Sequence, residues 1–392
     1  MNDSMKHYFS KKKIDMRTFT MVAILVILWV VFSYLTSNGF RTLGTSFLSS
    51  RNLSNLMRQM TIVAIMGSSM VLVMVTGGID LSAGAVVGFI GCTAAGLQVF
   101  YSVGTLPTII ISLLLGMLVF VLQGSLIAYA GLAPFIVTLG GQLVFKGLVL
   151  AISKGATIAP LEDSLRYFGQ AYISKTLTTV IGIAIILFLL MNEIQRRSGQ
   201  RKHGTLFEPL QAMLIRWGIT AVGILVAVYI MNSYRGMPVP VLIMFIISFL
   251  LTIVAEKTVF GRSIYAIGGN LDAAKYSGIN VSKNLLIVYT IHGMMVAIAG
   301  LILAARLNAG TITVTNMNLE LDAIAAAVIG GTSMTGGVGK VAGAIFGALV
   351  MASIDNGMSM MNMDAFWQYI VKGSILVAAV WFDMQTRKKG NA

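Results

Sequence analysis

Four polar residues interrupt apolar stretches of this chain. They are Asp80 and Ser82, just after Gly77-Gly78, and the pair Asp355-Asn356, which closes a run of small residues. A carboxylate in apolar surroundings is expensive unless it faces protein or water. Two roles fit Asp80 and Ser82: capping a helix that restarts after the glycine break, or lining a polar path. Asp355 and Asn356 either end their helix at an interface or offer hydrogen bonds to solute hydroxyls at a pore mouth. Glu320 and Asp322 precede the apolar run 323–328, where first-turn acids suit a helix dipole. His292, alone on an apolar helix, reads as a hydrogen-bonded packing residue. The intramembrane acids are few and show no opposing charges. No His, Cys and acid cluster has metal-ligand spacing, so no metal or cofactor is expected, and no nucleophile–base pair is evident. Gly339-Lys340 is followed by Val341, with Met334 where a phosphate loop needs its first glycine. The chain is therefore not expected to hydrolyse ATP itself.

These residues must be positioned by membrane helices. The hydrophobic fraction is 57%, charged residues are 11% and mean hydropathy is +0.85, against about 25% charge in an ordinary soluble domain. The fold class is all-α: a polytopic membrane protein with about 10–12 spans, some short or broken. The apolar runs are 19–36, 56–76, 81–103, 106–129, 134–152, 177–193, 215–231, 239–255, 285–307, 319–333, 341–353 and 369–382. Residues 1–18 form a basic N-terminus without a cleavable signal peptide, 19–385 a single membrane domain, and 386–392 a basic tail. The lone Cys92 reads as a small buried residue.

The net charge of +14 invites a nucleic-acid reading, but its distribution argues against one. Basic residues collect at Lys6 to Arg17, Arg196 to His203, Lys257 to Lys283 and Arg387 to Lys389. With the N-terminus inside, six spans, then two, then four bring every cluster to one side, so both termini are expected in the cytoplasm. The segment 157–175, with Pro160, Glu162, Asp163 and Arg166, then lies outside as a surface helix or connector. The pair 215–231 and 239–255 reads as a hairpin inserted into a smaller core. Trp367, Tyr369, Trp381 and Phe382 flank the last span as an aromatic belt would, or as rings that stack on a solute. A weak likeness between 76–91 and 329–343 suggests two related halves.

The longest polar stretch of the second half is 265–280, inside the basic cytoplasmic loop 257–283. Asn270, Asp272, Ala273, Ala274, Ser277 and Gly278 read as a short helix with a close-packing or capping glycine. This stretch resembles the loop by which permease subunits of ATP-binding-cassette importers dock on their ATPase.

The whole chain resembles permeases of the ribose/xylose/galactose class of cassette sugar importers. The likeness is carried by Gly77–Ser82, Pro134–Leu139, Gly261–Asn280, Leu321–Ser333 and Asp355–Met361, and extends over roughly 19 to 385. The hairpin and Asp355–Met361 resemble the longer xylose or multiple-monosaccharide permeases. The resemblance implies a homodimer in a bacterial inner membrane, a separate ATPase subunit that binds ATP, and an extracytoplasmic sugar-binding protein that holds most of the specificity. The lipid bilayer is the remaining partner expected, and no nucleic acid is. A branched-chain amino-acid permease and a transporter working alone are the competing readings, the latter with Asp80 or Asp355 as its ion site.

Overall fold

The computed structural model describes residues 16–37, 46–202 and 210–388. The basic stretch 1–15, the basic side chains of the 196–203 cluster and those of the C-terminal tail lie outside them. Among the described residues there are fifteen α-helices, one 3-10 turn, and isolated backbone bridges in place of any strand. The first five helices are α1 (Met16–Thr36), α2 (Ser50–Val75), α3 (Ala83–Val99), α4 (Thr105–Ala128) and α5 (Pro134–Ser153). A short α6 (Asp163–Gln170) precedes α7 (Lys175–Lys202), α8 (Leu210–Asn232) and α9 (Val239–Lys257). Two short helices, α10 (Val259–Gly269) and α11 (Leu271–Tyr276), lead to the long α12 (Val281–Leu307). The 3-10 turn Ile312–Asn316, α13 (Leu319–Ile329), α14 (Val341–Met360) and α15 (Ala365–Lys388) complete the chain.

Seven helices are long and apolar enough to cross a membrane, and four shorter apolar ones accompany them among the described residues. The run 319–333, expected as a span, is only the 11-residue α13. That is about half of the roughly 20 residues a crossing needs. The run 341–353 instead extends to Met360.

The core is α2, whose residues from Met60 to Val75 are all buried, surrounded by α9, α12, α13 and α14. In lipid the drive between helices is close packing rather than exclusion of water, so small residues dominate the contacts. Gly347 and Gly343 of α14 lie against the backbone of Ala326 on α13 and of Gly330, the residue that caps it. Gly116 of α4 meets Gly293 and Ala297 of α12 in the same way. Serines add polar links, such as Ser68 of α2 to Ser248 of α9 at 3.2 Å. Thus α9 belongs to the core, whereas its hairpin partner α8 packs chiefly on α7.

The bundle has two distinct ends. At one, α2 terminates beside α10 and the 330–340 loop: Gly337 N–H donates to Val75 O at 2.9 Å. At the other, Ile158 and Gly310 exchange backbone hydrogen bonds of 2.9 Å, and Gln170 of α6 donates to Arg306 O at 3.1 Å.

A Cβ at position 347 would run into the carbonyl oxygen of Ala326. Gly347→Val is therefore expected to lose about 1–3 kcal/mol to overpacking, seen as a lowered thermal-unfolding midpoint of the purified protein. An unchanged midpoint would contradict the close α13–α14 contact.

Candidate functional sites

The predicted loop residues gather in one compact turn. Asn270 is extended and its Oδ1 accepts the Ala273 amide at 2.9 Å, capping α11. Asp272 is exposed in the first turn, where it complements the helix dipole. Ala274 is buried beneath it, and the Ser277 hydroxyl donates to Ala273 O at 2.8 Å. Gly278 has φ +78°, nothing would meet a Cβ there, and its amide returns to Lys275 O at 3.0 Å. It is a capping glycine, not a close-packing one. The outer face of α11 presents Tyr276, which is 93% exposed, and half-exposed Leu271.

This turn is braced on the bundle through α10. Gly268 lies against Val75 O and the amide of Gly337. The Tyr265 hydroxyl donates to Gly339 O at 2.7 Å. Burial, and then the Glu256 carboxylate, push the Tyr265 phenol above its ordinary value, which keeps it a donor.

Asp80 and Ser82 sit in the buried, non-helical segment between α2 and α3. Asp80 Oδ1 accepts both the amide and the hydroxyl of Ser82 at 2.7 Å. Asp80 Oδ2 is 3.0 Å from His292 Nε2, whose ring pairs through Nδ1 with the Ser69 hydroxyl at 2.8 Å. Because the carboxylate accepts, Nε2 must carry the proton. Gln123 of α4 lies 3.1 Å from Ser82 Oγ, and the Thr138 hydroxyl of α5 donates to Ile79 O at 3.3 Å. Ser82 heads α3 without a side-chain cap bond, so the expected helix cap is replaced by a local turn closed by Asp80. Four helices thereby pin one break. His292 is fully buried and hydrogen-bonded, as the sequence suggested, and Cys92 is a buried free thiol.

Asp355 lies elsewhere, on a cavity of about 600 Å³ between α2, α12, α13, α14 and α15. The Lys372 ammonium of α15 reaches Asp322 Oδ2 at 2.8 Å and Asp355 Oδ2 at 2.9 Å. The acids do have an opposing charge, contrary to expectation, because three separate helices bring it to them. Glu320 and Asp322 occupy the first turn of α13 as predicted, yet both bind other helices, Glu320 Oε1 accepting from Gln142 at 2.9 Å. Arg306, Gln59, Gln368 and Tyr369 line the same cavity. Asn356, next to Asp355, is buried away from it and accepts from Asn52 at 2.7 Å. A lysine within the apolar run 369–382 was the signal for this cluster. Among the described residues no group of His, Cys, Asp and Glu is placed to hold a metal ion.

Removing the Asp80 carboxylate would leave His292 and the Ser82 amide buried without an acceptor. Asp80→Ala is expected to destabilise the protein by about 3–5 kcal/mol, read as a lower thermal midpoint in detergent. Wild-type behaviour would show that the break is held by other contacts.

Residues 52–380 match the family model described as branched-chain amino acid transport system / permease component. The chain is 42% identical to the xylose transport system permease protein of Haemophilus influenzae, over 97% of this chain and 100% of that protein. The corresponding Escherichia coli protein is also 42% identical, over 96% and 94%. The ribose import permease protein of Bacillus subtilis is 32% identical over 88% of each chain. No solved structure matches. With a helical membrane bundle and an exposed double helix braced on its core, this chain belongs to the branched-chain amino acid transport system permease component family.

Proposed function

We propose that this chain is the membrane-spanning subunit of an ATP-driven importer for a monosaccharide, xylose or a related pentose or hexose. It works as a homodimer in the bacterial inner membrane with both termini in the cytoplasm. A separate ATPase subunit binds and hydrolyses the ATP, and an extracytoplasmic binding protein delivers the sugar. The observation that carries this reading is the exposed α10–α11 unit joined to the end of α2 through backbone contacts at Val75, Gly268 and Gly337. The 42% identity to xylose transport system permease proteins supports the substrate class.

In this mechanism the ATPase pushes on α11, with Asn270, Asp272, Ala273, Ala274, Ser277 and Gly278 setting its shape. The movement passes through Tyr265 and Gly268 to α2 and the 330–340 loop. Those elements lead to Gln59, Asp322 and Asp355 at the other end, so the cavity between them changes its access. On this reading Asp355 lies on the sugar's route, while Asp80 and Ser82 keep the helix break rigid and Asn356 anchors the end of α14 to Asn52.

A second reading, a transporter working alone, draws on the Lys372–Asp322–Asp355 charges, since ionisable groups inside a bundle often serve ion coupling. Affinity purification in mild detergent separates the two. The importer reading expects an ATPase to co-purify and its turnover to rise with sugar-loaded binding protein. A chain that purifies alone and moves sugar in vesicles without ATP decides for the alternative.

Gly278→Trp forces a bulky residue into left-handed backbone, a strain of about 1–2 kcal/mol, and projects its ring beside the docking helix. ATP-driven uptake should fall about tenfold or more, the factor that roughly 1.4 kcal/mol represents, with normal protein levels in the membrane. Unchanged uptake would sink the role given to α11.

A further inference from the structure

Arg306 stands in the last turn of α12, at the end of the bundle away from α10 and α11, and lines the cavity of about 600 Å³. Its guanidinium has neither an ion pair nor a hydrogen bond among the described residues. The like charge of Arg58 on α2 acts on it. The Arg58 guanidinium lies over the Tyr172 ring at 5.4 Å, and its Nε is buried without a hydrogen-bond partner. Arg235 approaches the same ring at 5.9 Å but is exposed, so solvent screens it. The acids of this end are placed otherwise. Asp163 pairs with Arg166 at 2.7 Å, Glu162 accepts from Thr105 at 2.8 Å, and Asp364 is exposed. The stretch 38–45 contains no acid.

Charge then decides what this end of the cavity suits. Lys372 joins Asp322 and Asp355 at 2.8 and 2.9 Å, a triad with one net negative charge. Arg306 and Arg58 together bring two positive charges, so one positive charge is left over. A charge withdrawn from water without a partner is costly, and two like charges side by side add to that cost. We propose that the Arg306 end of the cavity binds a small hydroxylated monocarboxylate, of the sugar-acid class, as a regulatory ligand. The planar guanidinium fork matches a carboxylate with two parallel hydrogen bonds, and one negative charge removes the excess. A neutral solute leaves that excess standing, and a dianion reverses it. Gln59 and Gln368 line the same space. Gln368 gives an amide N–H to Met363 O at 3.1 Å, which leaves its carbonyl to accept from a hydroxyl, while the Gln59 amide can donate to one.

Binding is measured on the full chain in nanodiscs of zwitterionic lipid at low salt, by saturation-transfer NMR titration. The probes are D-xylonate as monoanion, D-xylose as its neutral counterpart and D-ribose 5-phosphate as dianion. D-Xylonate should bind about tenfold more tightly than either of the others. Arg306→Met should weaken D-xylonate about tenfold while D-xylose binding and the ligand-free thermal midpoint stay unchanged, and Arg306→Lys should restore part of the loss. Arg58→Met, which leaves the cavity wall intact, is a second variant and should also weaken D-xylonate, through the lost charge alone. D-Xylonate that binds no better than D-xylose or the phosphate, or that is indifferent to both arginines, would overturn the site. So would a loss of binding-protein affinity in Arg306→Met without any carboxylate binding, which would give the arginine to an acidic protein face instead. The regulatory role rests on the importer reading: an anion held here stands in the sugar's route, so D-xylonate should slow ATP-driven sugar uptake by the assembled complex, and less so in Arg306→Met. Uptake that ignores D-xylonate removes the regulation and leaves the importer. Binding of D-xylonate by a chain that shows no ATP-driven uptake keeps the site and removes the importer.

Discussion

Inside an apolar bundle every charge and every broken turn of backbone must find a partner within the protein. Two arrangements in this chain follow from that constraint. Where the chain leaves α2 and restarts at α3, the backbone is non-helical and buried, and Asp80 gathers Ser82 and His292 around the break. Where α13 begins as a half-length helix, Asp322 enters the bundle and Lys372 reaches across to it and to Asp355. Each break would be untenable with apolar neighbours alone, since a buried polar group without a partner costs about 1–3 kcal/mol. The two clusters differ in what remains after pairing. The first is closed on itself among four helices, while the second faces open space and keeps donors to spare.

The helices connecting these clusters give the molecule an axis. Both α2 and α14 run its length, from the Gly268–Val75–Gly337 junction at one end to the cavity at the other. The half-helix α13 lies along both, seated by alanine and glycine at close range. Small residues at these contacts let backbones approach and leave little room for side chains to repack. On the proposed reading that is what a transmitting element needs.

Much of this was legible in the sequence, for reasons that can be named. The class was fixed by composition and by runs of spanning length, signals that no tertiary contact can reverse. The turn at 270–278 was legible because Asn270 and Gly278 are local devices, a cap and a left-handed residue, acting on neighbours a few positions away. Asp355 was noticed as a charge in an apolar setting. Its pairing with Lys372, and that of Asp80 with His292, was hidden because the partners lie on different helices far apart in the chain. The half-length of α13 was hidden too. Its alanine-rich run flows into a glycine loop without a charge to mark where helix stops, and glycine is common in membrane helices anyway. Nothing in one dimension singles out Gln59 and Arg306, which become cavity walls only once α2 and α12 are side by side.

The junction of Val75, Gly268 and Gly337 has one more consequence. Its contacts are between main chains, a carbonyl meeting an amide at 2.9 Å with a glycine pressed against both. Side chains flex through rotamers and absorb small displacements, whereas a backbone-to-backbone seat can yield only by hydrogen-bond stretch, roughly a few tenths of an ångström. On the proposed reading, a larger displacement of α10 reaches the end of α2, and the stroke needed at the surface can be short.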